Sequence, residues 1–285
     1  MIAAQAVSRA GDEAKPNEDS FVVAAPGLLA VLDGVSAVEG MDSGCVHGPA
    51  WYASRLAANL ERCYTDAPEA ELADLVAEAI GRVCGEHGST CDLDHPGTPQ
   101  STLVTLRIED DECDYLVLCD STLVLDCSGR IETVSDLRIR DVARSYRHAV
   151  LSGTDPIGSN EQIRQIQELT VAKQRHVNRE GGYWIAAANP SAAHHAVRGS
   201  VPGTGPGRLT RAALLTDGAS SVVDLHHITD WRGLLDLAQL HGPGHLVQLA
   251  REAEDSDPTG SVRPRPKSHD DATVVYCVID SEVHP

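Results

Sequence analysis

The sequence predicts a single α+β domain, and three observations carry that prediction. Short β-prone runs follow one another from Ser101 to Val134 with no helix between them. Two helical stripes with matching spacing come before them. Four short acidic motifs are spread over nearly the whole chain, and three of them border apolar runs. Strands this closely spaced indicate an antiparallel meander rather than βαβ units. At 285 residues, with 42% hydrophobic and 23% charged, the chain is long and apolar enough for a substantial core. Only 4% is aromatic, with a single Phe, so that core must rest on Leu, Val, Ile and Ala.

Phe21 to Val23 and Leu28 to Leu32 read as two strands joined by Pro26-Gly27. Ala53, Leu56, Ala57, Leu60 and Tyr64 fall at helical spacing on one face, and Leu72, Leu75, Val76, Ala79 and Val83 repeat that spacing. Asp66, Pro68 and Glu69 supply start signals for the second helix. The two stripes predict an antiparallel helix pair on a sheet. Strands follow at Ser101 to Ile108, Tyr115 to Leu118, Leu123 to Asp126 and Ile131 to Val134, with turns at Asp110-Asp111-Glu112 and Ser128-Gly129.

Asn160 to Asn178 is polar and helix-compatible, with a weak stripe. Tyr183 to Ala188 reads as a strand. Gly199 to Gly207 reads as a Gly/Pro loop, and it lacks the Lys-Ser/Thr of a phosphate loop. Helices are expected over roughly Ser220 to Glu254 with a break at Gly242-Pro243-Gly244, then a linker from Asp257 to Lys267 and a final strand from Thr273 to Ile279. There are no internal repeats and no long flexible linker, so one domain over 1–285 is expected.

The formal net charge of −19 argues against nucleic acid and against an anionic membrane as partners. No stretch approaches the ~18 apolar residues of a membrane span. The start, Met1 to Val7, lacks the basic and long apolar regions of a signal peptide, so a cytoplasmic location is expected by default. The eight cysteines, Cys45, Cys63, Cys84, Cys91, Cys113, Cys119, Cys127 and Cys277, show no Cys-x-x-Cys pair and no zinc spacing. They read as reduced, mostly structural small hydrophobes. The pairs His194-His195 and His226-His227 lie away from the acidic motifs and read as surface or core residues.

The acidic motifs are Asn17-Glu18-Asp19-Ser20, Leu32-Asp33-Gly34, Thr216-Asp217-Gly218 and His269-Asp270-Asp271-Ala272-Thr273. Carboxylates at the ends of buried strands converge on a rigid scaffold, and they repel one another unless cations neutralise them. An all-oxygen set suits Mg²⁺ or Mn²⁺ rather than Zn²⁺.

Taken in order, these motifs resemble those of the metal-dependent type 2C protein Ser/Thr phosphatases. Gly11 to Asp19 corresponds to the family's Gly-x-x-Arg-x-x-Asn-Glu-Asp, Leu118-Cys119-Asp120-Ser121 to its Gly-Asp-Ser, and Gly97-Thr98 to the start of its Gly-Thr strand. Asp33-Gly34, Asp217-Gly218 and Asp270-Asp271-Ala272-Thr273 match its metal motifs, so the resemblance spans about residues 8 to 279. It implies a four-layer αββα sandwich: two mostly antiparallel sheets flanked by helix pairs, with metals at one end between the sheets. It also implies that Asp33 bridges two ions and that the Gly34 carbonyl completes one shell. Asp217 and Asp270 would bind one ion, Glu18 and Asp19 the other, and Asp120 a weaker third. Asp33, Asp217 and Asp270 would thus carry the catalytic metals. Two Mn²⁺ or Mg²⁺ ions sharing a water would present it in line to phosphorus without a covalent phosphoenzyme.

The departures concern what surrounds the metals. The family's phosphate-gripping Arg falls at Ala14, leaving Lys15 or Arg9 as substitutes, and Lys cannot reproduce a bidentate grip. The His often found after Asp-Gly is Val35. Arg263-Pro264-Arg265-Pro266-Lys267, just before Asp270, could either attract a phosphate, with Lys267 nearest, or be a solvated linker. The leading expectation is a phosphatase acting on phosphoserine or phosphothreonine in proteins. A phosphatase for a small phosphoester and a non-catalytic regulator of the same fold are the alternatives. Asn160 to Asn178 is the expected flap over the site.

Overall fold

A computed structural model describes residues 2–38, 40–150 and 155–279, with backbone alone for 145–150. The outer ends of the expected 1–285 domain lie outside the described residues. The strands are β1 (Ile2–Arg9), β2 (Asp19–Ala24), β3 (Leu28–Gly34), β4 (Ser101–Ile108), β5 (Glu112–Leu118), β6 (Thr122–Cys127), β7 (Arg130–Val134), β8 (Val197–Pro202), β9 (Leu209–Leu215) and β10 (Ala272–Ile279). The helices are α1 (Pro49–Asp66), α2 (Leu72–Glu86), α3 (Arg138–Val150), α4 (Asn160–Gln174), α5 (Asp217–Asp224), α6 (Trp231–His241) and α7 (Pro243–Asp255). Two five-stranded sheets, ordered β1-β10-β9-β6-β7 and β2-β3-β4-β5-β8, are antiparallel throughout.

Side-chain alternation builds the layers. Along β3, Leu29 and Val31 point between the sheets and meet Leu123, Leu125, Leu214 and Val275 of the other sheet. Leu28, Ala30 and Leu32 point the opposite way, onto Tyr52, Leu56, Leu60, Val76 and Ile80 of α1 and α2. On the far side, Ala213, Leu215 and Val274 pack on Val222, Leu234, Leu246 and Ala250 of α5, α6 and α7. A strand buried on both faces carries this two-sided apolar run. The four-layer α+β sandwich is thus present, with a helix pair on one face and three helices on the other.

Several local expectations change. The run from Ser101 to Val134 is not one meander: β4 and β5 belong to one sheet, β6 and β7 to the other. The crossing occurs at Cys119-Asp120-Ser121, where Cys119 takes a positive φ of 70°. Tyr183 to Ala188 forms only isolated bridges, Val177 with Tyr183 and Ser101 with Ala186, because β4 is already paired on both sides. Gly199 to Pro202, read as the start of a loop, belongs to the edge strand β8, a position that tolerates its Gly199 and Pro202. Edge strand β1 and helix α3 were not foreseen. β1 pairs along its whole length with β10, although half of its residues are Ala or Ser and none is fully buried.

Candidate metal centre

Sheet periodicity places the first carboxylates. Asp33 continues the Leu29–Val31 face past the end of the core, and it lies directly opposite Asp19 in the β2–β3 pair. Asp19 is 8% exposed. Its Oδ2 accepts a hydrogen bond from Thr216 Oγ1 at 2.9 Å, and that hydroxyl oxygen in turn accepts one from the backbone N–H of Thr273 at 2.9 Å. The other oxygen, Oδ1, is buried with no hydrogen-bond partner. Two carboxylates facing each other across a strand pair, one of them with an orphan oxygen, call for a cation.

Asp217 opens α5, two residues after the end of β9, and Asp270 stands just before β10. β9 and β10 are neighbours, so the two carboxylates arrive together. Both Asp-Gly motifs need glycine for close backbone approach. A Cβ on Gly34 would stand 2.6 Å from the Glu18 carbonyl oxygen, and one on Gly218 would stand 2.1 Å from that of Asp271. Gly34 also donates its N–H to the Glu18 carbonyl at 3.0 Å, which joins the two motifs directly.

The electrostatics describe one cluster. Burial, then the charges of Asp217, Asp19 and Asp270, push the Asp33 carboxyl well above the usual range. Burial raises Asp19 strongly too, with added repulsion from Asp271 and Asp270. Asp217 is raised by burial and then by Asp120, so the corner between β5 and β6 also contributes its carboxylate. Asp270 is raised by burial and then by Asp217, with Lys267 opposing. Burial raises Glu18 as well, against a hydrogen bond from the Ser36 hydroxyl and the charge of Lys267. Carboxylates from five separate segments therefore share one electrostatic environment. The donor set is all oxygen and overcharged, and it fits hard divalent cations.

Lys267 stands at the cluster itself. Its Nζ bonds Asp270 Oδ1 at 2.6 Å and lies 4.0 Å from Glu18 Oε2. Although burial alone would lower its pKa, Asp270, Asp33 and Glu18 raise it. The ammonium is an internal counter-charge of the cluster. Lys15 points to Asp12 at 3.9 Å with both side chains largely exposed, and Arg9 is exposed at the end of β1. Neither makes a hydrogen bond or ion pair with the cluster carboxylates.

The remaining basic residues before Asp270 are committed elsewhere. Arg265 is buried, donating to the carbonyls of Glu254, Asp257 and Ser268 and reaching Asp257 Oδ2 at 3.4 Å. Arg263 donates to the Leu225 carbonyl. The segment is a folded strap, neither a solvated linker nor a row of free cations. Helix α4 docks on it: Gln162 Nε2 donates to the Arg265 and Pro266 carbonyls at 3.2 and 3.3 Å, which places this polar helix beside the cluster.

Sequence reasoning missed three supports. Asp271 accepts from the Gly11 N–H at 2.7 Å through Oδ1 and from the Glu18 N–H at 2.6 Å through Oδ2, so it fixes the chain that carries Glu18 and Asp19. Ser36 and Thr216 orient Glu18 and Asp19. Only the Asp-Asp doublet hinted at the first of these. Among the histidine pairs, His195 stacks on Trp184 at 3.5 Å and His226 is buried, in keeping with surface and core roles.

No protein-family profile and no curated protein sequence matches the chain. Solved structures do. The catalytic domain of the serine/threonine protein phosphatase PstP, in complex with two manganese ions, aligns with a TM-score of 0.57 at 18% identity, covering 98% of this chain and 99% of that one. The PPM Ser-Thr phosphatase MsPP from Mycobacterium smegmatis, in complex with cacodylate, aligns at 0.57 and 21%, covering 98% of each chain. The serine/threonine phosphatase Stp1 from Staphylococcus aureus aligns at 0.57 and 15%, covering 99% and 96%. The chain therefore has the fold of the metal-dependent type 2C phosphatases along nearly its whole length.

Proposed function

We propose that the protein is a metal-dependent phosphomonoester hydrolase acting on phosphoserine or phosphothreonine in proteins. The observation that carries this reading is the placement of Asp19 opposite Asp33, with a buried unpartnered oxygen, beside Asp217 and Asp270. The likeness to PstP with its two manganese ions supports it.

Asp33, Asp217 and Asp270 would hold one Mn²⁺ or Mg²⁺, and Asp33 with Glu18 and Asp19 a second, the Gly34 carbonyl completing a shell and Asp120 serving a weaker third. Bound cations would supply charge neutralisation and an activated water for in-line attack on phosphorus. The chain's own contribution is preorganisation. Thr216 fixes one oxygen of Asp19 and leaves the other free to ligate. Ser36 and the backbone held by Asp271 aim Glu18. Lys267 removes part of the negative charge that would repel a phosphate dianion.

A second reading, a phosphatase for a small phosphoester, draws on Ala14 and Lys15. Both are exposed, and no guanidinium occupies that position to grip a protein-borne phosphate. The deciding experiment is p-nitrophenyl phosphate hydrolysis with Mn²⁺, with Mg²⁺ and with chelator, for wild type, Asp33→Asn and Asp217→Asn. Metal-stimulated turnover lost in both variants supports the hydrolase. Wild type that binds Mn²⁺ and turns nothing over points to a non-catalytic regulator. Phosphopeptides run beside phosphometabolites then separate the two substrate classes.

A further inference from the structure

The reading of the eight cysteines as small hydrophobes fits Cys63, Cys113, Cys119, Cys127 and Cys277, all buried, and fails at one place. Cys45 and His47, on the loop between β3 and α1, meet His87, which caps the end of α2, and Cys91, just beyond it. One ligand atom from each of these four residues lies within 4.8 Å of all the others.

The individual separations outline a tetrahedron. Cys45 Sγ is 3.6 Å from His47 Nδ1 and 3.3 Å from His87 Nδ1. Cys91 Sγ is 3.3 Å from His47 Nδ1, and the two sulfurs are 2.9 Å apart. With Zn–S about 2.3 Å and Zn–N about 2.0–2.1 Å, a tetrahedral site has edges of ~3.5 Å between S and N and ~3.8 Å between sulfurs. The three sulfur–nitrogen separations given already lie near that value. The sulfurs would have to part by roughly 0.9 Å on that same bond-length basis.

The surroundings hold the donors in place. His47 stacks on Trp51 at 3.9 Å, and His87, 2% exposed, packs edge-on against the same indole at 4.8 Å. The His47 N–H donates to Cys45 Sγ at 3.3 Å, the kind of contact that supports a thiolate. The Asp92 N–H donates to the Gly44 carbonyl at 2.7 Å, so the two loops are also joined beside the sulfurs.

We infer that Cys45, His47, His87 and Cys91 form a structural Zn²⁺ site, separate from the carboxylate cluster. Two soft thiolates and two imidazoles select zinc over the hard cations suited to that cluster. Four protein donors close the shell and leave no open position, so the role is structural. The ion would tie the β3–α1 loop to the end of α2. That loop begins directly after Asp33-Gly34 and carries Ser36, the hydrogen-bond donor to Glu18. The site would therefore steady one wall of the carboxylate cluster, whether or not that cluster hydrolyses phosphate.

The test is metal content and cobalt spectroscopy, with phosphatase activity left aside. Protein purified without chelator is expected to carry about one zinc per chain. That zinc is expected to be lost in Cys45→Ser and Cys91→Ser and kept in Asp33→Asn. Exchange with Co²⁺ should give tetrahedral ligand-field bands together with sulfur-to-cobalt charge-transfer absorption, and an all-oxygen cluster cannot produce the charge transfer. His47→Cys keeps a fourth donor. It should retain the metal with stronger charge-transfer absorption, even if the serine variants fail to fold. Absence of both zinc and the charge-transfer band, with all thiols freely titratable, would overturn the site. So would a mass short of two hydrogens that maps to a Cys45–Cys91 disulfide, which would make the pair a redox element.

Discussion

Asp19 and Asp33 stand directly opposite each other across the β2–β3 pair, at the end of a face that is otherwise apolar. Like charges in that relation are destabilising. The arrangement persists because it makes a cation site. Asp33→Asn is therefore expected to move two observables in opposite directions. Metal-stimulated turnover should fall by at least about 100-fold, as for loss of a preorganised electrostatic group. The chelated variant should melt higher than chelated wild type. Activity assays beside thermal unfolding in chelator check both, and a chelated variant that melts lower would remove the repulsion argument.

The raised carboxyl groups of Asp33, Asp19, Asp217 and Asp270 set a pH dependence. A carboxyl whose folded pKa exceeds its unfolded value binds more protons when folded, so stability falls as pH rises between the two values. Chelated protein should gain melting temperature as pH drops from neutral toward the ordinary carboxylate range. Saturating Mn²⁺ should flatten or reverse that slope, because the metal takes over from the protons. Melting curves over pH, with and without metal, decide it. Parallel curves would mean that the cluster is not the metal site.

Much of this was legible in the sequence because strand ends carry simple signals. Asp33-Gly34 and Asp217-Gly218 follow apolar runs, so the direction of both carboxylates follows from strand period and placement. β1 was illegible because its half-buried positions are mostly small, with Ala4, Ala6 and Ser8 among them, and Ala also stands on its exposed face, so the apolar contrast is weak. Gly199 and Pro202 disguised β8 as a loop. The Cys45, His47, His87 and Cys91 group was illegible for a different reason. Its halves, Cys-x-His and His-x₃-Cys, lie on either side of the whole α1–α2 hairpin and match no familiar spacing. Lys267 shows how a charge on a Pro-rich segment resists one-dimensional reading, since only the packing of Arg265 below it turns it inward.

Lys267 holds Asp270 with a charge-assisted bond of 2.6 Å, inside the set that would ligate metal. An ammonium and a divalent cation compete for the same carboxylate. Lys267→Met should therefore tighten Mn²⁺ binding, by roughly tenfold if the pair couples by about 1.4 kcal/mol, while lowering the stability of the metal-free protein. Calorimetric titration with Mn²⁺ and chelated unfolding measure the two effects. Weaker Mn²⁺ binding in the variant would instead make Lys267 a support of the site.

Asp271 is the carboxylate whose work is done through the backbone. It grips the N–H groups of Gly11 and Glu18 at 2.7 and 2.6 Å, tying the segment that carries two candidate ligands to the start of β10. Hydrogen bonds to charged groups contribute about 1.5–3 kcal/mol each. Asp271→Ala, which loses both, is expected to destabilise the protein by about 3–6 kcal/mol by the same reckoning. Asp271→Asn keeps one acceptor and should cost about half as much. Both variants should weaken metal binding in step with the stability lost, because Glu18 is released along with its backbone. Urea unfolding with Mn²⁺ titration of the two variants tests that coupling. If Asp271→Ala binds metal as wild type does, the Glu18 segment is held by Gly34 and Ser36 alone.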